Sequence, residues 1–108
     1  MTDKQPSFSL QGQVALVTAS SKGIGRACAL ALAQAGADII LGLHQVSSGQ
    51  ALVKRIQKLG REVLPVQMDV TRLDEINEAV KAGVRHFKHI DILVNNAGIG
   101  APNPADLS

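Results

Sequence analysis

The 108-residue chain contains no tyrosine, no tryptophan, two phenylalanines and a single cysteine. Each shortage closes off a class of function. Nucleic-acid surfaces pair a basic stripe with stacking aromatics, whereas here the few aromatics stand alone and the basic residues are scattered from Lys4 to Lys88. No nucleic-acid partner is expected. Cys28 cannot form an internal disulfide, which suits a reducing compartment. No apolar run approaches the roughly eighteen residues needed to cross a bilayer, and the opening MTDKQPSFSL has no apolar core of signal-peptide length. A cytoplasmic location without a membrane partner is the expectation. His86 and His89 have no cysteine or carboxylate at ligand spacing to complete a metal set, and read as histidines opposing the dipole at a helix C-terminus. No metal site is expected, and no Ser, His and Asp set stands out as a hydrolase triad. Internal repeats, low-complexity tracts and interdomain linkers are also lacking.

What remains is ordinary globular composition, 45% hydrophobic and 19% charged, arranged as an alternation. VALVT, Val14 to Thr18, is a short β-branched run suited to a buried parallel strand, and the alanine- and leucine-rich stretch from Ile24 to Ala35 is a helix closed by Gly36. DIILGL, Asp38 to Leu43, is a second strand. Ser47 and Ser48 are candidate N-caps for a helix over Gln50 to Leu59, with Leu52, Ile56 and Leu59 on one face and Gly60 ending it. EVLPVQM, Glu62 to Met68, reads as a third strand whose Pro65 suggests an edge position. Asp74 to Phe87 is a helix with acidic residues near its start and Ile76, Val80, Val84 and Phe87 on a shared face. DILVNN, Asp91 to Asn96, is a fourth strand. Strands and helices that alternate in this way predict an α/β fold, a doubly wound parallel sheet of Rossmann type with about four strands and three helices.

The turn between the first strand and the first helix, inside VTASSKGIG, carries Ser20, Ser21, Lys22, Gly23 and Gly25. In a doubly wound sheet this turn lies beside the switch point, where a helix N-terminus offers free N–H groups to an anion. A glycine pair after a strand also suits a plain tight turn. The strand before, the helix after, two serine hydroxyls and a lysine cation fit phosphate binding better. Counting about twenty residues from Gly23 reaches Leu43, with no carboxylate there to bind a ribose 2′-hydroxyl and with His44 and Gln45 following as possible donors.

TASSKGIG resembles the T-G-x-x-x-G-x-G motif of the short-chain dehydrogenase/reductase family, and NNAG, Asn95 to Gly98, resembles its second signature. FSLQGQVALVT, MDVT (Met68 to Thr71) and IDILVNNAG are also in that family's manner, so the likeness covers the chain from Phe8 onward. Ala19 departs from it by standing where the motif has glycine. The resemblance implies a nicotinamide dinucleotide cofactor, with Thr18, Ser20, Ser21, Lys22, Gly23, Ile24 and Gly25 around its phosphates. It implies NADP rather than NAD, because NADP-preferring members often carry a basic residue where Lys22 stands, with NAD remaining possible; Lys22 as a solvated surface lysine is the alternative. It places Asp69 and Val70 beside the adenine and Asn95, Ala97 and Gly98 beside the adenosine ribose, although Asp69 also fits a turn or cap and the asparagines also fit strand-to-strand bonding. It further implies hydride transfer between the nicotinamide and a small alcohol or carbonyl substrate, with sugar acids, polyols and 3-oxoacyl thioesters among the substrates of similar members.

The family's acid/base tyrosine lies in a Y-x-x-x-K motif, and members run to about twice this length or more. With no tyrosine in the chain, residues 1–108 read as a dinucleotide-binding domain incomplete at its C-terminus, without catalytic residues of its own. The alternatives are a non-catalytic nucleotide-binding module or truncated relative, and an interaction piece that completes its sheet with another chain. An open edge along Ile92, Leu93 and Val94 would favour self-association.

Overall fold

A computed structural model describes residues 9–18, 20 and 23–96. Its strands are β1 (Val14–Thr18), β2 (Asp38–Leu43), β3 (Val63–Gln67) and β4 (Ile92–Val94), and its α-helices are α1 (Gly23–Gln34), α2 (Gln50–Lys58) and α3 (Leu73–Phe87). All strand pairs are parallel and the order across the sheet is β3-β2-β1-β4. The chain is thus the α/β doubly wound arrangement its alternation predicts.

The order follows from the handedness of crossovers. A right-handed connection places its helix on one face when the chain steps one way along the sheet and on the other face when it steps back. From β1 to β2 to β3 the chain steps outward twice, so α1 and α2 share a face. The return from β3 to the far side of β1 carries α3 to the opposite face. Two cores result, divided by the two-residue period of the strands. Ala15, Val17, Ile39, Leu41 and Leu43 pack against Ala29 and Ala33 of α1 and Leu52 and Ile56 of α2. Val14, Leu16, Ile40, Val66 and Met68 pack against Ala79 of α3, with Ile76 and Phe87 partly buried beside it. Covered on both faces, β1 and β2 are apolar at almost every position, and full burial of a side chain such as Ile39 or Leu41 contributes about 1.5–3 kcal/mol.

Local signals hold where a residue's own geometry sets them. Gly36 and Gly60, expected to end α1 and α2, both have positive φ, and a Cβ at Gly36 would stand 3.1 Å from the Gln11 backbone nitrogen. Pro65 lies in β3 at the sheet edge, where its missing N–H costs no ladder bond. Cys28 is half-buried against the α1 core, a small packing residue.

Four expectations are corrected. Ser47 and Ser48 do not cap α2: they lie in a 3₁₀ turn, Val46–Gly49, that runs into the helix, and the Ser48 hydroxyl donates to the Gln45 carbonyl at 2.6 Å. Leu59 is outside the buried face of α2, past the end of the helix and exposed. The buried stripe of α3 is not the Val80 and Val84 side but Ala79 and Gly83, flanked by Ile76 and Phe87, while Val80 and Val84 are exposed. Small residues prevail there because the helix lies close to β2: a Cβ on Gly83 would collide with Ile40 Cδ1. The fourth strand is also shorter than DILVNN. Asp91 turns its carboxylate to accept the Val14 N–H at 2.8 Å, and Asn96 turns toward β1. Leu93, 64% exposed, lies on the outer edge.

Candidate functional site

β1 runs between two neighbours reached by opposite crossovers, so the loops after β1 and β4 diverge and leave a crevice at the carboxyl ends of the strands. Four expected site segments come to this end: the turn from Thr18 into α1, His44 after β2, Asp69 and Val70 after β3, and Asn95 after β4. Ser21, Lys22, Ala97 and Gly98, as well as Ala19, lie outside the described residues.

Thr18 and Asn96 join the two signature segments. The Asn96 backbone N–H donates to Thr18 Oγ1 at 2.8 Å, and its side-chain Nδ2 donates to the Thr18 carbonyl at 3.1 Å. The Thr18 hydroxyl has Asn95 Oδ1 at 3.1 Å and the Val94 carbonyl at 3.4 Å as acceptors. Thr18 is 5% exposed and Asn96 6%, so this clasp is shielded from water and fixes where Asn95 leaves the sheet. Asn96 was not among the expected site residues. Its signal was the asparagine doublet directly after an apolar strand.

The glycine turn is held from β2. Ser20 is fully buried, and both its N–H, at 3.4 Å, and its hydroxyl, at 3.3 Å, are directed to the Gly42 carbonyl. The Ser20 hydroxyl is therefore engaged within the protein, holding the turn, rather than extended into the crevice. The approach needs Gly42: a Cβ there would lie 3.0 Å from Met68 Sδ, 3.3 Å from the Val17 carbonyl and 3.4 Å from Thr18 Cα. A glycine inside a buried strand marks such close backbone approach, and that signal was available in DIILGL.

Gly23 begins α1 at φ +65°, and among the described residues nothing lies within 4 Å of the position its Cβ would take. Gly25 is buried, whereas Ile24 is 57% exposed in the first turn. No acidic residue occupies that turn. A helix start of this kind presents its first N–H groups and the positive end of its dipole, which suits an anionic phosphate.

Asp69 is the most elaborately held side chain of the site. Its Oδ1 accepts from the Thr71 N–H at 3.0 Å and the Thr71 hydroxyl at 2.7 Å, while its own N–H donates to Glu75 Oε1 at 2.9 Å. The Thr71 hydroxyl, then the Thr71 N–H, hold the Asp69 carboxyl below its usual range against the opposing effect of burial, with smaller help from His44 and Arg72. It remains a charged acceptor. Its other oxygen, Oδ2, is 3.6 Å from His44 Nε2, a contact that joins the ends of β2 and β3. Val70 and Asn95, together with Leu16, Thr18, Met68 and the α3 residues Ile76 and Val80, line a cavity of about 270 Å³. At the other end of the sheet, His89 Nδ1 meets Asp91 Oδ2 at 2.7 Å, and among the described residues no group of His, Cys, Asp or Glu could hold a metal ion.

The model for short chain dehydrogenase matches residues 13–107. The chain belongs to that family. It is 45% identical over 91 residues to the 3-oxoacyl-(acyl-carrier-protein) reductase of Synechocystis sp., covering 83% of this chain and 37% of that protein. It is 44% identical over 92 residues to the 2-dehydro-3-deoxy-D-gluconate 5-dehydrogenase of Escherichia coli, covering 85% of this chain and 36% of that protein. Among solved structures, a 7 alpha-hydroxysteroid dehydrogenase in complex with NADH and 7-oxo glycochenodeoxycholic acid superposes with a TM-score of 0.83 at 31% identity, over 94% of this chain and 40% of that one. The chain therefore spans little more than a third of the curated relatives it matches. Among the described residues no helix is long and apolar enough to cross a membrane.

Proposed function

We propose that the chain is the dinucleotide-binding part of an NADP(H)-preferring short-chain dehydrogenase/reductase acting on a small alcohol or carbonyl substrate. One observation carries the reading: the N-terminus of α1 at Gly23 lies at the same carboxyl end of the parallel sheet as His44, Asp69 and Asn95, where the Thr18–Asn96 clasp joins β1 to the segment after β4. A bound nicotinamide supplies or accepts the hydride. The chain's residues do the rest of the holding. The N–H groups at Gly23, Ile24 and Gly25 receive the pyrophosphate, Ser21 and Lys22 extend that anion site, and Lys22 with His44 meets a ribose 2′-phosphate. Asp69, kept ionised, accepts from the adenine amine, with Val70 against the ring and Asn95, Ala97 and Gly98 along the adenosine ribose. The absence of any carboxylate in the sequence directly after β2 supports NADP, since the acidic residue that binds a ribose 2′-hydroxyl in an NAD site is missing.

These 108 residues contain no tyrosine, so in this reading none of them is given the proton transfer to the substrate. The relatives' names, an oxoacyl reductase and a sugar-acid dehydrogenase, support carbonyl–alcohol interconversion on a small molecule. A reducing, cytoplasmic setting is consistent with one unpaired cysteine. Exposed Leu93 on the β4 edge supports self-association of the chain when that edge is uncovered, which sedimentation reads directly.

The decisive experiment titrates the protein with NADPH and NADH by nicotinamide fluorescence, beside Lys22→Ala. Tighter binding of NADPH, with the preference falling about tenfold or more in the variant, is expected for a charge-assisted phosphate contact. Binding of neither dinucleotide refutes the reading.

A further inference from the structure

Nearly every polar atom of Asp69 is committed within the protein. Its carbonyl accepts the Arg72 N–H at 2.9 Å, its Oδ1 accepts both Thr71 donors, and its own N–H donates to Glu75 Oε1 at 2.9 Å. Among the described residues Oδ2 has only the contact with His44 Nε2 at 3.6 Å, longer than a good hydrogen bond. That oxygen is left for a ligand. The bonds to Thr71 and Arg72 close a turn from Asp69 to Arg72 and move with it, so they set the carboxylate relative to the turn and not the turn relative to the helix. Two side-chain contacts reach from Asp69 beyond that turn among the described residues: the loose one to His44 and the tight one to Glu75.

Glu75 is the third residue of α3, a position from which a carboxylate ordinarily reaches back to the N–H of the N-cap residue. Here the N-cap is Arg72, and its N–H is already taken by the Asp69 carbonyl. The Glu75 side chain passes it over and ends on the Asp69 N–H, six residues back. Its Oε2 lies 3.8 Å from Arg72 Nε, and the side chain is 26% exposed, so the carboxylate is lodged against the loop. An acid that served the helix dipole alone would do so equally well from solvent.

We propose that Glu75 is a positioning residue of the nucleotide site: by holding the Asp69 N–H it fixes the turn against α3 and aims Asp69 Oδ2 at the exocyclic amine of an adenine. This rests on the dinucleotide-binding reading above and adds to it a residue that touches no cofactor.

Discrimination between bases reads the aim of that oxygen. Hypoxanthine carries a carbonyl where adenine carries an amine, so a carboxylate held there accepts from adenine and opposes hypoxanthine. The test is fluorescence titration of the full chain with NADPH and with reduced nicotinamide hypoxanthine dinucleotide phosphate, for wild type, Asp69→Asn, Glu75→Ala, Glu75→Gln and Glu75→Asp, beside urea unfolding of each. Glutamine keeps an acceptor at the same reach without the charge. Aspartate keeps the charge in the first turn of α3 but is one methylene too short, and both are mild for folding if alanine is not. The expected result is an adenine preference of about tenfold or more in wild type, lost in Asp69→Asn, kept within about twofold in Glu75→Gln, and reduced roughly threefold or more in Glu75→Ala and Glu75→Asp. If Glu75→Asp keeps the preference and Glu75→Gln loses it, charge at the helix start is what acts and the positioning role is overturned. A Glu75→Ala variant that is less stable but equally selective overturns it as well, leaving Glu75 a purely structural residue. If wild type binds both dinucleotides equally, Oδ2 does not face the amine, and the proposal falls while the dinucleotide site stands. If wild type binds neither, the site reading falls and the proposal with it.

Discussion

Replacing Thr18 by valine isolates the clasp between the two signature segments, because the side chain keeps its shape and loses only its oxygen. The Asn96 N–H, 2.8 Å from that oxygen in a residue 6% exposed, is then buried without its acceptor. An unsatisfied buried donor costs about 1–3 kcal/mol. The other lost bond, from the Thr18 hydroxyl toward Asn95, adds little, since Asn95 is exposed to water. A loss of about 2 kcal/mol is the expectation, and with a urea slope of about 1–2 kcal/mol per molar for a small domain it moves the unfolding midpoint down by roughly 1–2 M. Thr18→Ser keeps the hydroxyl and removes one buried methyl group, for a cost of about 1 kcal/mol. Urea unfolding of the three proteins, with the slope unchanged, gives the comparison. A serine variant as unstable as the valine variant, or a valine variant within about 0.5 kcal/mol of wild type, would show that the hydroxyl is not what holds the strand ends together.

At Gly83 the gain in helix propensity from alanine, about 1 kcal/mol, is opposed by collision with Ile40 Cδ1 in a fully buried site, which overpacking places at about 1–3 kcal/mol. Gly83→Ala is expected to lower the thermal midpoint, and Ile40→Val, which deletes the colliding carbon, to cost less in that background than in wild type; additive costs would refute the contact. Thr71→Val removes the first cause of the lowered Asp69 carboxyl, so the carboxyl shifts up toward its ordinary value of 3.8 in a carbon-detected NMR titration. A carboxyl depressed in the native state stabilises the fold above its unfolded value and loses that contribution as pH falls through the native value. Wild type is therefore expected to lose more stability than Thr71→Val on acidification below about pH 4.

The motifs of the site were easier to read than its wiring. Gly23, Asp69 and Asn95 announce themselves by residue type beside strand ends, but the acceptor of the Ser20 hydroxyl does not, because Gly42 lies one strand away. His44 and Asp69 give no sequence sign of facing each other. Their contact exists because β3 pairs with β2 in the register Leu43 to Gln67, which brings the two strand ends level. In α3 the expected Val80 and Val84 face failed for a related reason. Hydrophobicity and period set a helix's amphipathic arc, whereas the side that seats is the one whose small residues, Ala79 and Gly83, let the backbone approach Ile40.

The sequence alone determined the alternation of strands and helices, the glycines that end α1 and α2, the edge position of the proline strand and the place of the glycine turn before α1. Each depends on a residue's own backbone freedom or on a period of a few residues, which local composition carries in full. Only the tertiary structure decided that Thr18 grips Asn96 across 78 residues, that Ser20 hangs from Gly42, and that His44 meets Asp69. Those contacts arise when right-handed crossovers of opposite direction bring distant strand ends side by side, a consequence of the whole chain's path that no short stretch contains.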